Sequence, residues 1–372
     1  MPCPRLFPLF VVAALAACYS PPANREWADR AVYGILADAH QKVLGEPREF
    51  VVERPVDTLR RRLLAGREPV LLTLADALDV AAENSREFQR QKENLYLAAL
   101  NLTDRQNDFR VRFGGGFSAG IDGTGETSAD VLLSPDLSAS AATETGASIV
   151  MSFVQTFLRS VLNGGQFDGS SILNLTFTQP LLRGAGRHIV REPLTQAERD
   201  VIYAIRSFER FRAQFAIDLV ADYWNVVQLM ADLRNVEANY DSLRKSREQI
   251  EAFQQAGRRT IVDLGRAQQS EYSANAQRVT STNRLQTALD NFKLTLGLPI
   301  TARVELDPSE LTRLVERGVE EITLDPDEAI RLALARRYDY RTTVDQVEDV
   351  GRRVLIAENA LDLGLDISGA IN

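Results

Sequence analysis

The chain has 372 residues, a quarter of them charged, a net charge of −8 and two cysteines, Cys3 and Cys18. An acidic balance argues against nucleic-acid binding, which needs a basic face. Two cysteines so close to the start cannot make a disulfide framework, and no uninterrupted apolar run is long enough for a membrane-spanning helix.

Residues 1–17 read as a signal peptide, with a positive charge ahead of a short apolar core. Arg5 supplies the charge, Leu6 to Ala17 the core, and the core ends Leu15-Ala16-Ala17-Cys18. That ending resembles the bacterial lipobox, which implies acylation of the Cys18 thiol and cleavage just before it. Tyr19, where an Asp would favour retention at the inner membrane, leans toward the outer membrane. A multiply acylated cysteine exceeds the threshold for stable anchoring. Residues 18–72 then form a lipidated leader and linker. Asn24 to Leu44 has helical spacing (Trp27, Ala31, Ile35, Ala39), and Pro47, Pro55 and Pro69 interrupt the remainder of the leader.

Thr73 opens a strong helix, with Asp76 placed to complete a capping box. Apolar positions at Leu74, Leu78, Ala81, Leu95, Ala98 and Leu102 keep the helical period. Near Asn107 the period becomes two, and 109–121 reads as a strand with Phe109, Val111 and Phe113 on one face. Alternation returns over 171–181, where Leu173, Leu175 and Phe177 alternate with Asn174, Thr176 and Thr178. This is the pattern of a membrane strand with one face on lipid and one on water. The spacing therefore assigns Leu173, Leu175 and Phe177 to the lipid face. The stretch between the two strands is rich in small residues, with an apolar patch from Ile149 to Leu162, and has no assignment.

A long helical hairpin is expected over 192–296. Its first arm has a seam of threes and fours (Val201, Ile205, Phe208, Phe215, Leu219, Tyr223) that continues to Ile250. The turn lies at Ala256-Gly257-Arg258-Arg259-Thr260. Gly257 permits the reversal, and Thr260 or Asp263 caps the second arm. Leu296-Gly297-Leu298-Pro299 closes it. After a connector, residues 322–334 echo 72–82: Ala77 pairs with Ala329, Ala81 with Ala333 and Asn107 with Asn359 at one constant offset. Residues 73–321 therefore read as a first structural repeat and 322–372 as the incomplete start of a second. The expectation is a chain truncated relative to its intact relatives.

Catalytic constellations are absent from the sequence. His40 and His188 are far apart, no metal-ligand spacing or phosphate loop is found, and the reading is not an enzyme, with no metal and no cofactor.

Over 73–372 the arrangement resembles the TolC-like family of outer-membrane efflux and secretion ducts. The residues that carry the likeness are Leu74-x-Asp76-Ala77-Leu78 with Asn84, Thr178-Gln179-Pro180-Leu181-Leu182, Gly257-x-x-Thr260-x-x-Asp263-Leu264-x-x-Ala267-Gln268, and Leu296-Gly297-Leu298-Pro299. The resemblance implies a mainly α fold with membrane β: long antiparallel coiled-coil helices, and two strand pairs per protomer. A homotrimer would close a twelve-stranded barrel over an α-helical tunnel. It also implies a passive duct in the cell outer membrane that exports small molecules, fed by a periplasmic adaptor and an inner-membrane transporter. The adaptor would meet the hairpin tip at Gly257, Arg258, Arg259, Thr260 and Asp263. A type I protein-secretion duct, and a poreless periplasmic coiled-coil lipoprotein, are the competing readings. The alternating segments speak against the latter, since a spacer needs no membrane strands.

Overall fold

The computed structural model describes residues 21–46, 48–53, 61, 70–123, 129–160, 168–318 and 323–372. The expected signal peptide, Cys18 and most of 54–69 lie outside the described residues.

The elements run in chain order as helix α1 (Pro21–Leu44), strand β1 (Val70–Leu72), helices α2 (Leu74–Asn84) and α3 (Arg86–Asn107), and strands β2 (Arg112–Asp122), β3 (Asp130–Ala142), β4 (Ser148–Ser160) and β5 (Asp168–Pro180). A short helix α4 (Arg187–Val190) leads into α5 (Glu192–Gln255), which is followed by α6 (Ile261–Thr295), β6 (Val304–Leu306), α7 (Ser309–Arg317), α8 (Pro326–Arg336), α9 (Tyr338–Ala360) and β7 (Asp366–Ile371). At about 1.5 Å per residue, the 64 residues of α5 reach roughly 96 Å.

The chain forms two compact units. One combines described residues of Val51–Asn94 with Ser207–Ala333. Its core packs Ala77, Val80 and Ala81 of α2 against Leu219, Tyr223, Val226 and Val227 of α5, with Phe292 and Leu296 at the end of α6. A parallel pairing of β1 with β6 (Leu72↔Leu306) brings the chain before α2 beside the chain after α6. The buried Tyr223 hydroxyl donates to the Leu72 carbonyl at 3.3 Å. Sequence reasoning ends the leader at residue 72; Leu72 is in fact fully buried core, and β1 belongs to this unit. The Thr73–Asp76 capping box forms. Gly297 adopts φ +68°, and a Cβ there would come within 2.3 Å of the Asn84 carbonyl oxygen, so only glycine lets the close of α6 sit on the end of α2.

The other unit combines described residues up to Phe50 with Leu95–Arg206 and Leu334–Asn372. Here α1 meets α3 through the Tyr96 hydroxyl, which donates to Asp29 at 2.6 Å, and through the edge-on rings of Tyr33 and Tyr96. The first turns of α5 meet α9 through a charged network around Asp349. Arg199, Arg352, Tyr203 and Gln196 all donate to its carboxylate. Burial pushes this carboxyl up, but the Tyr203 and Gln196 hydrogen bonds and the Arg199 and Arg352 charges outweigh that and hold it below its ordinary range.

The sheet of this unit has the order β2-β3-β4-β5-β7, antiparallel throughout. This corrects the expected content of the first repeat. Strand 109–121 is Arg112–Asp122, because the chain at 108–110 still turns off the end of α3. Strand 171–181 is Asp168–Pro180, and two further strands, β3 and β4, stand between them. The described part of the first repeat thus brings four strands to this sheet, not two.

Residues 74–122 and 326–371, the segments expected to be two copies of a repeat, share one element order. An 11-residue helix, a break and a long helix lead into a strand in both, as α2-α3-β2 and as α8-α9-β7. The helix starts keep a constant offset, Leu74 to Pro326 and Arg86 to Tyr338. Their environments differ. Ala77, Val80 and Ala81 of α2 are buried, whereas α8 has no buried residue and leaves Ile330, Leu332 and Leu334 exposed.

Candidate membrane sheet and hairpin tip

Residues directly opposite each other on neighbouring strands share a face of the sheet. The register places Gly115 opposite Leu137, Leu137 opposite Phe153, and Phe153 opposite Leu173. The next row is Gly114, Ser138, Ser152 and Asn174. Following the rows along the strands, one face collects Phe113, Phe117, Ile121, Leu133, Leu137, Met151, Phe153, Phe157, Leu173, Leu175, Phe177 and Ile371, with Gln155, Arg159 and Ser171 among them. The other collects Gly114, Gly116, Ser118, Asp136, Ser138, Ser152, Thr156, Asn174, Thr176 and Ser368, with the apolar Leu132, Val150, Val154, Leu158 and Ile172 among them. Leu173, Leu175 and Phe177 therefore lie on the apolar face, and Asn174, Thr176 and Thr178 on the opposite one. Large apolar side chains on the first face stay exposed, Phe113 and Ile121 most of all. No helix of the described residues is long and apolar enough to cross a membrane, a criterion that does not bear on strands.

Glycine on the polar face has a steric reason at β2. A Cβ at Gly116 would lie 2.3 Å from an Asp136 carboxylate oxygen, and one at Gly114 would lie 2.7 Å from the Ser138 hydroxyl. The side chains of β3 fold over the β2 backbone on that face.

The hairpin tip is built from two complementary caps. Helix α5 ends in a Schellman motif: the Arg258 amide donates to the Phe253 carbonyl at 2.8 Å and the Gly257 amide to Gln254 at 2.9 Å, with Gly257 at φ +72°. Helix α6 begins with a capping box. The Asp263 amide donates to the Thr260 hydroxyl at 3.2 Å, and the Thr260 amide to the Asp263 carboxylate at 3.2 Å. The Thr260 hydroxyl and amide hold the Asp263 carboxyl below its ordinary range. Just behind the tip, Arg247 of α5 donates to Glu271 of α6 at 2.8 Å and fastens the two arms.

Gly257, Arg258, Arg259 and Thr260 are all exposed, whereas Asp263 is half-buried by its capping role. The structure adds residues that sequence reasoning passes over. Ile261 and Val262, in the first turn of α6, and Phe253, in the last turn of α5, are exposed beside the two arginines. Two β-branched apolar residues directly after an N-cap were the available signal. Among the described residues no group of His, Cys, Asp or Glu could hold a metal.

No known family and no curated protein matches the sequence. Solved structures do match. The outer membrane protein VceC from Vibrio cholerae shares 15% identity, over 80% of this chain and 61% of that one, with a TM-score of 0.51. The Campylobacter jejuni CmeC outer membrane channel shares 13%, over 80% and 55%, with a TM-score of 0.53. The outer-membrane channel OprN shares 16%, over 86% and 61%, with a TM-score of 0.50. The chain has the fold of these outer-membrane proteins. It spans 55–61% of their length.

Proposed function

We propose that the chain is a TolC-like outer-membrane factor: the passive duct of a tripartite efflux system, exporting small molecules with a periplasmic adaptor and an inner-membrane pump. The observation that carries this reading is the sheet with one mainly apolar face, interrupted by Gln155, Arg159 and Ser171, and an opposite face on which small and polar residues predominate. Such a sheet suits a wall between lipid and a water-filled lumen. Among the described residues its β2 edge has no partner strand. An open edge in lipid leaves backbone groups unsatisfied, so copies of the chain close the wall, and the family resemblance makes them three. A poreless spacer has no use for this sheet. Acylation at Cys18 anchors the chain to the same membrane. The tip, with Arg258 and Arg259 flanked by Phe253, Ile261 and Val262, offers both charge and apolar contact to the adaptor.

Reconstitution of the full chain into planar bilayers tests the duct. A stable conducting pore from a detergent-resistant oligomer is expected. Recovery as a water-soluble monomer without conductance would refute it. Feeding cells a clickable fatty acid tests the anchor: the wild type should be marked and Cys18→Ser should not, and equal marking of both would exclude acylation there.

A further inference from the structure

We infer that the β3–β4 hairpin spans the membrane as part of the channel wall, so that the lumen is wider than one hairpin per repeat would make it. The inference rests on the proposed duct and concerns residues to which the sequence pattern assigned nothing.

Three observations carry it. First, β2 and β5 are not hydrogen-bonded to each other; the order β2-β3-β4-β5 leaves β3 and β4 as their partners. If β2 and β5 cross the bilayer while β3 and β4 do not, the facing edges of β2 and β5 have no partner in lipid, where each orphan amide or carbonyl costs several kcal/mol. Second, the predominantly apolar and predominantly polar sides keep their phase through β3 and β4, although Gln155 and Arg159 fall on the first and Leu132, Val150, Val154 and Leu158 on the second. The row Leu137, Phe153, Leu173 is apolar and the adjacent row Ser138, Ser152, Asn174 is polar. A hairpin folded away from the wall has no reason to keep its neighbours' phase. Third, the length fits. β3, β4 and β5 have 13 residues each. From Val131 to Ala141 the apolar side of β3 covers ten steps of about 3.4 Å, or roughly 24 Å of height at a 45° tilt, close to the 25 Å apolar band of outer-membrane barrels. Acyl chains are thus the occupant of this face.

Two added strands per copy raise the expected twelve to about eighteen in a trimer, and barrel diameter grows nearly linearly with strand number. The duct would be about half again as wide at the membrane as the resemblance alone implies. Its lining from this hairpin is mixed: the hydroxyls of Ser134, Ser138, Ser152 and Thr156 and the carboxylate of Asp136 alternate with Leu132, Val150, Val154 and Leu158.

Spin-label accessibility tests the assignment on the full chain in phosphatidylcholine vesicles. Single cysteines go at Leu137 and Ser138 on β3 and at Phe153 and Ser152 on β4, with Leu173 and Asn174 on β5 as the reference pair. The unsubstituted chain sets the labelling background. Labels at Leu137→Cys and Phe153→Cys should relax preferentially with oxygen dissolved in lipid. Labels at Ser138→Cys and Ser152→Cys should relax preferentially with a water-soluble nickel chelate. If the β5 pair shows this reversal while both faces of β3 and β4 respond to the nickel chelate, the hairpin lies outside the wall and the inference falls alone. If Leu137→Cys and Phe153→Cys respond to neither reagent, the hairpin is a plug, and the inference falls as well. If the β5 pair also shows no reversal, the duct reading falls with it.

Discussion

Replacing Asp349 by Asn should loosen α9 from α5 by about 1–3 kcal/mol. The carboxylate is 2% exposed and accepts from Arg199 at 2.6 Å, Tyr203 at 2.7 Å, Arg352 at 3.0 Å and Gln196 at 3.3 Å. An asparagine keeps one acceptor oxygen and turns an amide toward groups that are themselves donors, so about half of these bonds are lost. Breaking a buried ion pair costs about 3–5 kcal/mol when it strands a buried charge. Here the arginine side chains are 22% and 26% exposed and keep Glu348 and Glu192, so neither charge is stranded. The smaller figure therefore applies, in the range for hydrogen bonds to charged groups. Hydrogen exchange of the α5 and α9 amides in detergent measures it. With 1.4 kcal/mol per tenfold, exchange should rise roughly five- to hundredfold in Asp349→Asn. Glu348→Gln removes an equally formal charge from a side chain that is 67% exposed, and should change little. The pH dependence has a definite sign. A carboxyl held below its unfolded value, about 3.9, contributes its full stabilisation above that value and loses it as pH falls through the folded one. Wild-type protection across α5–α9 should therefore drop in the range below about pH 4, and the Asn variant should lack that component. Equal exchange in Asp349→Asn and Glu348→Gln would refute the reasoning.

At mid-strand, Leu175→Arg should cost on the order of 2–4 kcal/mol and reduce assembled oligomer on denaturing gels, while Thr176→Arg on the opposite face should be mild. Equal losses would mean that the two faces see the same medium. Gly297→Ala combines a left-handed backbone penalty of about 1–2 kcal/mol with a Cβ driven against the Asn84 carbonyl. A fall in thermal midpoint of several degrees is expected, against no fall, and a small rise from helix propensity, for Gly265→Ala inside α6, which meets nothing within 4 Å. Arg258→Glu with Arg259→Glu should leave folding and insertion intact, since exposed charges contribute little, and should weaken cross-linking to the adaptor and lower efflux. Wild-type cross-linking and export would make the tip only a turn.

The parts of the fold visible in the sequence are those whose signal is local. The spine from Val201 to Ile250 foretold α5, and capping chemistry fixed Thr73 and Thr260 as helix starts, because a cap needs only residues three apart. The β1–β6 pairing was not visible, since three residues on each side carry no period and their partners are distant in the chain. The same cause hid β3 and β4. β3 has Pro135 at its middle and is otherwise rich in Ser and Ala, residues of low strand preference, and the β3–β4 ladder skips Ser134 and Pro135. β4 carries Val150, Val154 and Leu158 on its polar face, which blurs alternation into an almost continuous apolar run. Neither strand announces itself alone. The pairing recovers the pattern in part: it sets Val150 between Ser140 and Thr176, whereas Val154 lies between Asp136 and Ile172 and Leu158 between Leu132 and Asp168. A face that is mixed along one strand becomes legible when read across three. For a wall that has to separate lipid from water, the row across the strands is the unit that must be consistent, and a sequence read along the chain samples each row only once.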